Sequence, residues 1–134
     1  MDSENKIPRI LVIDDDHGVQ KLVTTLITRA KMEPITAMNA TQGAQFLRTP
    51  PLPDALVLDL MLPDISGIDF LRQMRGKEAF DKIPVIILSA IIDPDQIREG
   101  LSLGADRYIT KPYLASNLID TLRDVLKTER KKEK

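Results

Sequence analysis

Asp14, Asp15 and Asp16 stand in a row directly after the apolar run Ile10–Ile13, and Asp59 interrupts a second apolar stretch, Leu56–Leu62. Ser89 follows the run Val85–Leu88, and Lys111, with Pro112 behind it, follows the shorter Arg107–Ile109. If those runs lie in one sheet, all of these polar residues meet at one edge. Carboxylates brought that close repel one another, which either raises a pKa or demands a cation. Oxygen donors without Cys or His suit a hard ion, Mg2+ first and Mn2+ next. An ammonium and a hydroxyl at the same edge complete the parts of a phosphoryl-transfer site. Asp59 is then the acceptor, because a carboxylate can become an aspartyl phosphate.

The elements that position these residues follow from two alternating periodicities. Continuous Val/Ile/Leu runs read as strands buried on both faces, as in a parallel sheet covered by helices. Ile10–Ile13, Leu56–Leu62 and Val85–Leu88 have this character, and Pro34–Met38 and Arg107–Ile109 supply two weaker strands. Between them, Val19, Leu22, Val23, Leu26 and Ile27 keep the spacing of one buried helix face, as do Leu118, Ile119, Leu122, Val125 and Leu126. Asp16 is placed to cap the first helix. Asn39 with Gln42 and Ser66 with Asp69 form capping pairs for the second and third, and Asp93–Pro94 opens the fourth. Leu103–Gly104 is its stop, and the fifth helix has no capping side chain at its start. The result is a (βα)5 chain, an α/β doubly wound parallel five-stranded sheet with helices on both faces. Such sheets hold their sites at the carboxyl ends of the strands.

Composition narrows the reading. The chain has 134 residues, 43% hydrophobic and 29% charged, as expected of one globular domain. Lys plus Arg number 19 against 20 for Asp plus Glu, a net charge of −1 that gives no reason to expect direct nucleic-acid binding or an anionic membrane as partner. There is no cysteine, so disulfide scaffolds, thiolate metal sites and thiol nucleophiles are excluded. No apolar run approaches the ~20 residues of a membrane span, and the start of the chain is polar where a signal peptide is apolar. A cytoplasmic location is the expectation. The domain is expected over residues 9–126, after a tail of residues 1–8. Residues 127–134, with five basic and two acidic side chains, read as a charged tail or the start of a linker.

Four segments together resemble the receiver domain of two-component response regulators. They are Ile10-Leu-Val-Ile-Asp-Asp-Asp16, Leu56-Val-Leu-Asp-Leu-Met-Leu-Pro-Asp-Ile-Ser-Gly67, Pro84-Val-Ile-Ile-Leu-Ser-Ala90 and Gly104-Ala-Asp-Arg-Tyr-Ile-Thr-Lys-Pro112. The resemblance runs from Arg9 to about Leu126 and implies the flavodoxin-like strand order 2-1-3-4-5. It implies Asp59 as phosphoacceptor. Asp15 becomes a direct metal ligand, Asp14 one acting mostly through water, and the backbone carbonyl of Met61 a further ligand. Ser89 and Lys111 would bind the phosphoryl group, and Ala90 would keep its approach open. Tyr108 matches an aromatic residue that changes rotamer on activation, and the Lys111–Pro112 bond one that is cis. A sensor histidine kinase or histidine phosphotransfer protein would be the donor. An output domain or protein target would read the surface of the fourth helix, fifth strand and fifth helix. The module would not be a classical enzyme, although it would catalyse its own phosphotransfer and slow autodephosphorylation.

Some positions depart from common family patterns. Arg107 and Thr121 replace an acid and an arginine found at one family dimer face, so the unphosphorylated chain is expected to be a monomer. Met61 and Ile91 are apolar where polar residues can orient a hydrolytic water, which slows loss of the phosphoryl group. His17, the one histidine, is expected to face solvent, since Mg2+ prefers oxygen. A haloacid-dehalogenase-like phosphatase would need a second Asp where Met61 stands. A flavodoxin-type nucleotide module would need a glycine-rich phosphate loop where Asp14–Asp16 repel phosphate. A phosphorylation-independent interaction module on the same fold is the remaining competitor.

Overall fold

The computed structural model describes residues 6–128 and 130. The rest of the two expected tails lies outside the described residues. Five parallel strands, β1 (Arg9–Ile13), β2 (Glu33–Ala37), β3 (Ala55–Leu58), β4 (Val85–Ser89) and β5 (Arg107–Thr110), form one sheet in the order 2-1-3-4-5. The five helices are α1 (His17–Arg29), α2 (Ala40–Arg48), α3 (Gly67–Arg75), α4 (Pro94–Ser102) and α5 (Ala115–Lys127).

Alternation along the strands explains the two layers. Ile10, Val12, Val57, Ile86 and Leu88 point to the face covered by Val23 and Ile27 of α1 and Leu118, Leu122 and Val125 of α5. Leu11, Ile13, Leu56, Leu58, Val85 and Ile87 point to the other, where α2 and α3 pack. With both faces buried, every residue of β3 and β4 can be apolar up to the strand end. α4 sits on the second face through Gly100, where an added Cβ would lie 2.7 Å from the Ile87 side chain.

Every strand differs from the sequence reading by at least one residue at an end, and three of the differences have a visible cause. The stretch Leu56–Leu62 is not one element. β3 stops at Leu58, the Asp59 carboxylate takes the Met61 N–H at 3.2 Å, and the chain turns out so that Met61 is 62% exposed. β2 covers Glu33–Ala37 rather than Pro34–Met38. Glu33 N–H donates to the Pro8 carbonyl, and Met38 N–H leaves the ladder for the Gln42 side chain. β5 reaches Thr110, opposite Ser89.

The capping expectations are met by geometry. Asp16 accepts from Val19 N–H, Asn39 from Gln42 N–H, Ser66 from Asp69 N–H and Asp93 from Asp95 N–H; α5 has no side-chain cap. Gly104, just past α4, adopts φ +120°. The start of α2 has a second clamp. Asp64, in the loop after β3, accepts from Ala40 N–H, Thr41 N–H and the Thr41 hydroxyl. Asn39 and Asp64 therefore satisfy the first three amides of the helix, groups that an uncapped helix leaves orphaned. Burial opposes the Asp64 charge, but the hydrogen bonds outweigh it and hold the carboxyl well below its ordinary range.

Asp64→Ala is expected to lower stability by about 1–2 kcal/mol at neutral pH, measured by urea unfolding. A carboxyl whose folded-state pKa is depressed contributes in full above its unfolded value and loses that contribution as pH falls through the folded value. The difference between wild type and variant should hold from neutral pH down to about pH 4 and shrink in stronger acid. An equal difference at every pH would remove the charge from the explanation.

Candidate functional site

β1 and β3 pair in register, Ile13 opposite Leu58, so Asp14 and Asp59 emerge side by side at the carboxyl edge. The ladder continues one step past the strands. Asp14 N–H donates to Ala37 carbonyl at 3.1 Å, Asp59 N–H to Ile13 carbonyl at 3.0 Å and Lys111 N–H to Ser89 carbonyl at 2.9 Å. These bonds fix the backbone from which each polar side chain projects. Asp14 is 2% exposed, Asp59 7% and Ser89 0%, a depth that polar groups rarely reach without a partner.

Asp14, Asp15 and Asp59 each place a carboxylate oxygen within 4.8 Å of the others. Lys111 reaches across from the end of β5. Its Nζ donates to Asp14 Oδ2 at 2.8 Å and to Asp59 Oδ2 at 3.4 Å. Asp16 N–H holds the other oxygen of Asp14 at 2.9 Å. Burial raises the Asp14 carboxyl above its ordinary value, with the Asp59 charge adding to it, against the hydrogen bonds from Lys111 and Asp16. For Lys111, burial works against the charge, but the bond to Asp14 and the two carboxylates outweigh it and raise the ammonium. An isolated ion pair would lower its acid. Here the acid is raised because its own burial, with the Asp59 charge beside it, outweighs an ammonium shared between two carboxylates.

Ser89 Oγ accepts from Ile91 N–H at 3.3 Å, and Ala90 beside it is exposed. The half-buried Tyr108 donates its hydroxyl to the Ile91 carbonyl at 2.7 Å, and burial raises its phenol. Tyr108 and Ser89 thus share one loop, the one leading from β4 to α4. The Lys111–Pro112 bond is cis, as is Pro50–Pro51. Exposed His17 opens α1 away from the acids' ligand set.

Two supports of the site are not assigned a role from the sequence. Gln20, buried in α1, places its Nε2 2.9–3.1 Å from the carbonyls of Val12, Asp14 and Ala37, tying the ends of β1 and β2 together. Its spacing on α1 is that of a core position, but its type reads as polar. Gly67 lies under Asp59, where an added Cβ would come within 2.3 Å of the Asp59 carbonyl oxygen.

Residues 10–123 match the response regulator receiver domain family. The chain belongs to that family. Among curated proteins it is 36% identical over 118 residues to the phosphate regulon transcriptional regulatory protein PhoB of Pseudomonas aeruginosa, covering 88% of this chain and 51% of that one. It is 34% identical over 121 residues to the DNA-binding dual master transcriptional regulator RpaA of Synechocystis, covering 90% and 50%. The chain spans about half the length of these relatives. Among solved structures, the receiver domain of Francisella response regulator 1452 is 32% identical with a TM-score of 0.81, over 90% of this chain and 97% of that one. A DrrB receiver domain solved in a BeF3-activated form is 28% identical, TM-score 0.79, over 92% and 100%. Receiver domains are the phosphorylation switches of two-component signalling and not classical enzymes. No helix among the described residues of this receiver domain is long and apolar enough to cross a membrane.

Proposed function

We propose that Asp59 accepts a phosphoryl group from the phosphohistidine of a sensor kinase or histidine phosphotransfer protein and that the domain relays this event to an output. The observation that carries the reading is the bridge from Lys111 Nζ to both Asp14 and Asp59 inside the cluster of three acids. Among the described residues, the all-oxygen donors of Asp14, Asp15 and Asp59 fit a hard divalent ion, Mg2+ or Mn2+, and the Met61 carbonyl would be the further ligand. Such an ion supplies charge neutralisation for the reacting oxygens.

A carboxylate oxygen of Asp59 forms the new bond to phosphorus as the phosphorus–nitrogen bond to the donor histidine breaks and the electron pair leaves with the imidazole. Strand β3 holds Asp59 in place, so little orientation remains to be found at the moment of transfer. Lys111 then moves from the carboxylates to the new dianion. Ser89 gives up its contact with Ile91 and donates its hydroxyl to a phosphoryl oxygen. Because Ser89 and Tyr108 share the Ile91 backbone as partner, this step repacks the β4–α4 loop and, with it, the surface of α4, β5 and α5. Met61 and Ile91 leave the site without a side chain that orients water, which lengthens the life of the acyl phosphate. The relatives are transcriptional regulators of about twice this length, so the reader of that surface is an output module or protein target.

Two measurements bear on this reading. Mg2+ that binds only the folded state stabilises it, by about 2.7 kcal/mol at a hundredfold excess over Kd. Millimolar Mg2+ is expected to raise the melting temperature by several degrees, and Asp15→Asn should lose most of the rise; no rise in wild type would remove the metal site. In addition, Arg107 pairs with Asp124 of its own α5 at 2.7 Å, so this face holds its charges within one chain. Sedimentation of the unphosphorylated protein is expected to show a monomer, and a stable dimer through this face would overturn that.

A further inference from the structure

α2 and α3 lie on the same face of the sheet with an open groove of about 470 Å3 between them. Its origin is local. At Gly43 an added Cβ would lie 2.3 Å from the Ile13 side chain, so α2 sits close against β1. Ala40 and Ala44 then present only methyl groups toward the groove. The floor consists of Leu47, Phe70, Met74 and Phe80, core residues whose edges remain accessible there.

The two ends of the groove differ in charge. Asp64 and Ile65 close the end nearer the acidic edge, and the Asp64 carboxylate is fully engaged with the α2 amides and Thr41. Arg48, in the last turn of α2, and Lys77, two residues past α3, stand at the far end. Both are exposed, and neither side chain has an ion pair or hydrogen-bond partner among the described residues. The space lies within the range of small-molecule sites, which are mostly apolar with a few convergent polar groups.

We infer that the α2–α3 groove binds a small amphipathic carboxylate, its hydrocarbon or aryl part over Leu47, Phe70 and Met74 and its anionic head between Arg48 and Lys77. The orientation follows from the charges, since Asp64 repels the head from the opposite end. A nucleotide is disfavoured because the walls offer little polar surface and no exposed aromatic face for a base. The site does not depend on the phosphoacceptor reading. Asp64 belongs to both the groove and the loop that follows Asp59, so an occupant would touch the segment that carries the acceptor.

The test is an NMR titration of the whole chain with sodium decanoate and, in parallel, 1-decanol. Decanoate is expected to give saturable shifts at Ala40, Ala44, Leu47 and Ile65. Arg48→Glu combined with Lys77→Glu should weaken decanoate at least tenfold and leave decanol unchanged, and Ala44→Leu should abolish binding of both. Arg48 and Lys77 are surface residues, so the charge variants remain decisive if Ala44→Leu folds poorly. Shifts that fail to saturate, that map outside the groove, or that survive the charge reversal would overturn the proposal. So would sedimentation with phosphatidylglycerol vesicles in the absence of decanoate binding, which would assign the cations to a membrane surface.

Discussion

Incubation with a small-molecule phosphodonor and Mg2+ is expected to add one phosphoryl group to the chain, at Asp59, as an acyl phosphate labile to base and to hydroxylamine. Three other acids near the edge are otherwise occupied, and the exposed Asp15 is the one assigned to the metal. Asp14 is held by Asp16 N–H and Lys111, Asp16 caps α1, and Asp64 clamps α2. Asp59 Oδ1 takes one amide, Met61 N–H at 3.2 Å, and its second oxygen lies 3.4 Å from Lys111. That oxygen can leave Lys111 for phosphorus without breaking a strong bond. Asp59→Asn is expected to abolish the mass increase while the protein stays folded. Asn nearly preserves volume, and removing one like charge beside Asp14 relieves the repulsion that helps raise it. Lys111→Ala is expected to disturb the propagated change at α4–β5–α5 more than folding, since its ammonium meets the new dianion. Wild-type labelling of Asp59→Asn at the same Mg2+ concentration would refute the assignment.

How much of this was legible in the sequence follows from which residues carry local signals. β1 and β4 are buried on both faces, so their apolar runs mark them almost to the residue, and the polar residues that end them mark the edge of the sheet. Asp16, Asn39, Ser66 and Asp93 cap their helices because capping is a contact between residues two or three apart. The third run misleads for a tertiary reason. Leu60 is buried under the loop although it lies beyond the strand, so hydrophobicity continues where the β conformation has ended.

What the sequence hides depends on contacts between distant residues. Asp64 clamps a helix that begins 24 positions earlier, and Gln20 spans 17 positions to the Ala37 carbonyl. Neither spacing forms a local pattern. The end of α1 is hidden for another reason. Lys31, at φ 68°, occupies the left-handed position after the helix, and Met32 N–H closes back on the Ile27 carbonyl at 3.1 Å. Glycine is the usual residue there, and a lysine at that place gives no stop signal.

Gly67→Ala is expected to damage both fold and site, because its place under Asp59 leaves no room for a side chain. The added Cβ would meet the Asp59 carbonyl oxygen at 2.3 Å and the Leu60 Cα at 2.6 Å. These are backbone atoms of the loop that carries the acceptor, and they cannot swing aside as a flexible side-chain end can. Gly67 N–H also donates to the Leu60 carbonyl at 2.8 Å, so the start of α3 and the loop below it are already bonded at closest approach. Overpacking of this kind costs roughly 1–3 kcal/mol, and contact with backbone on two sides places this case at the upper end. Relief requires α3 to lift or the loop to slide, and either movement shifts Asp59 relative to Asp14 and Lys111. Gly76→Ala is the matched control. Gly76 has φ −78° in the right-handed region, and its added Cβ would find nothing nearer than 3.4 Å. It should stabilise by about 0.4–1 kcal/mol, through the unfolded chain alone. Urea unfolding of the two variants should therefore move in opposite directions, with labelling of Asp59 slowed only in Gly67→Ala. An unfolding midpoint and labelling rate equal to wild type in Gly67→Ala would show that the loop yields freely and that the acceptor is not held from below.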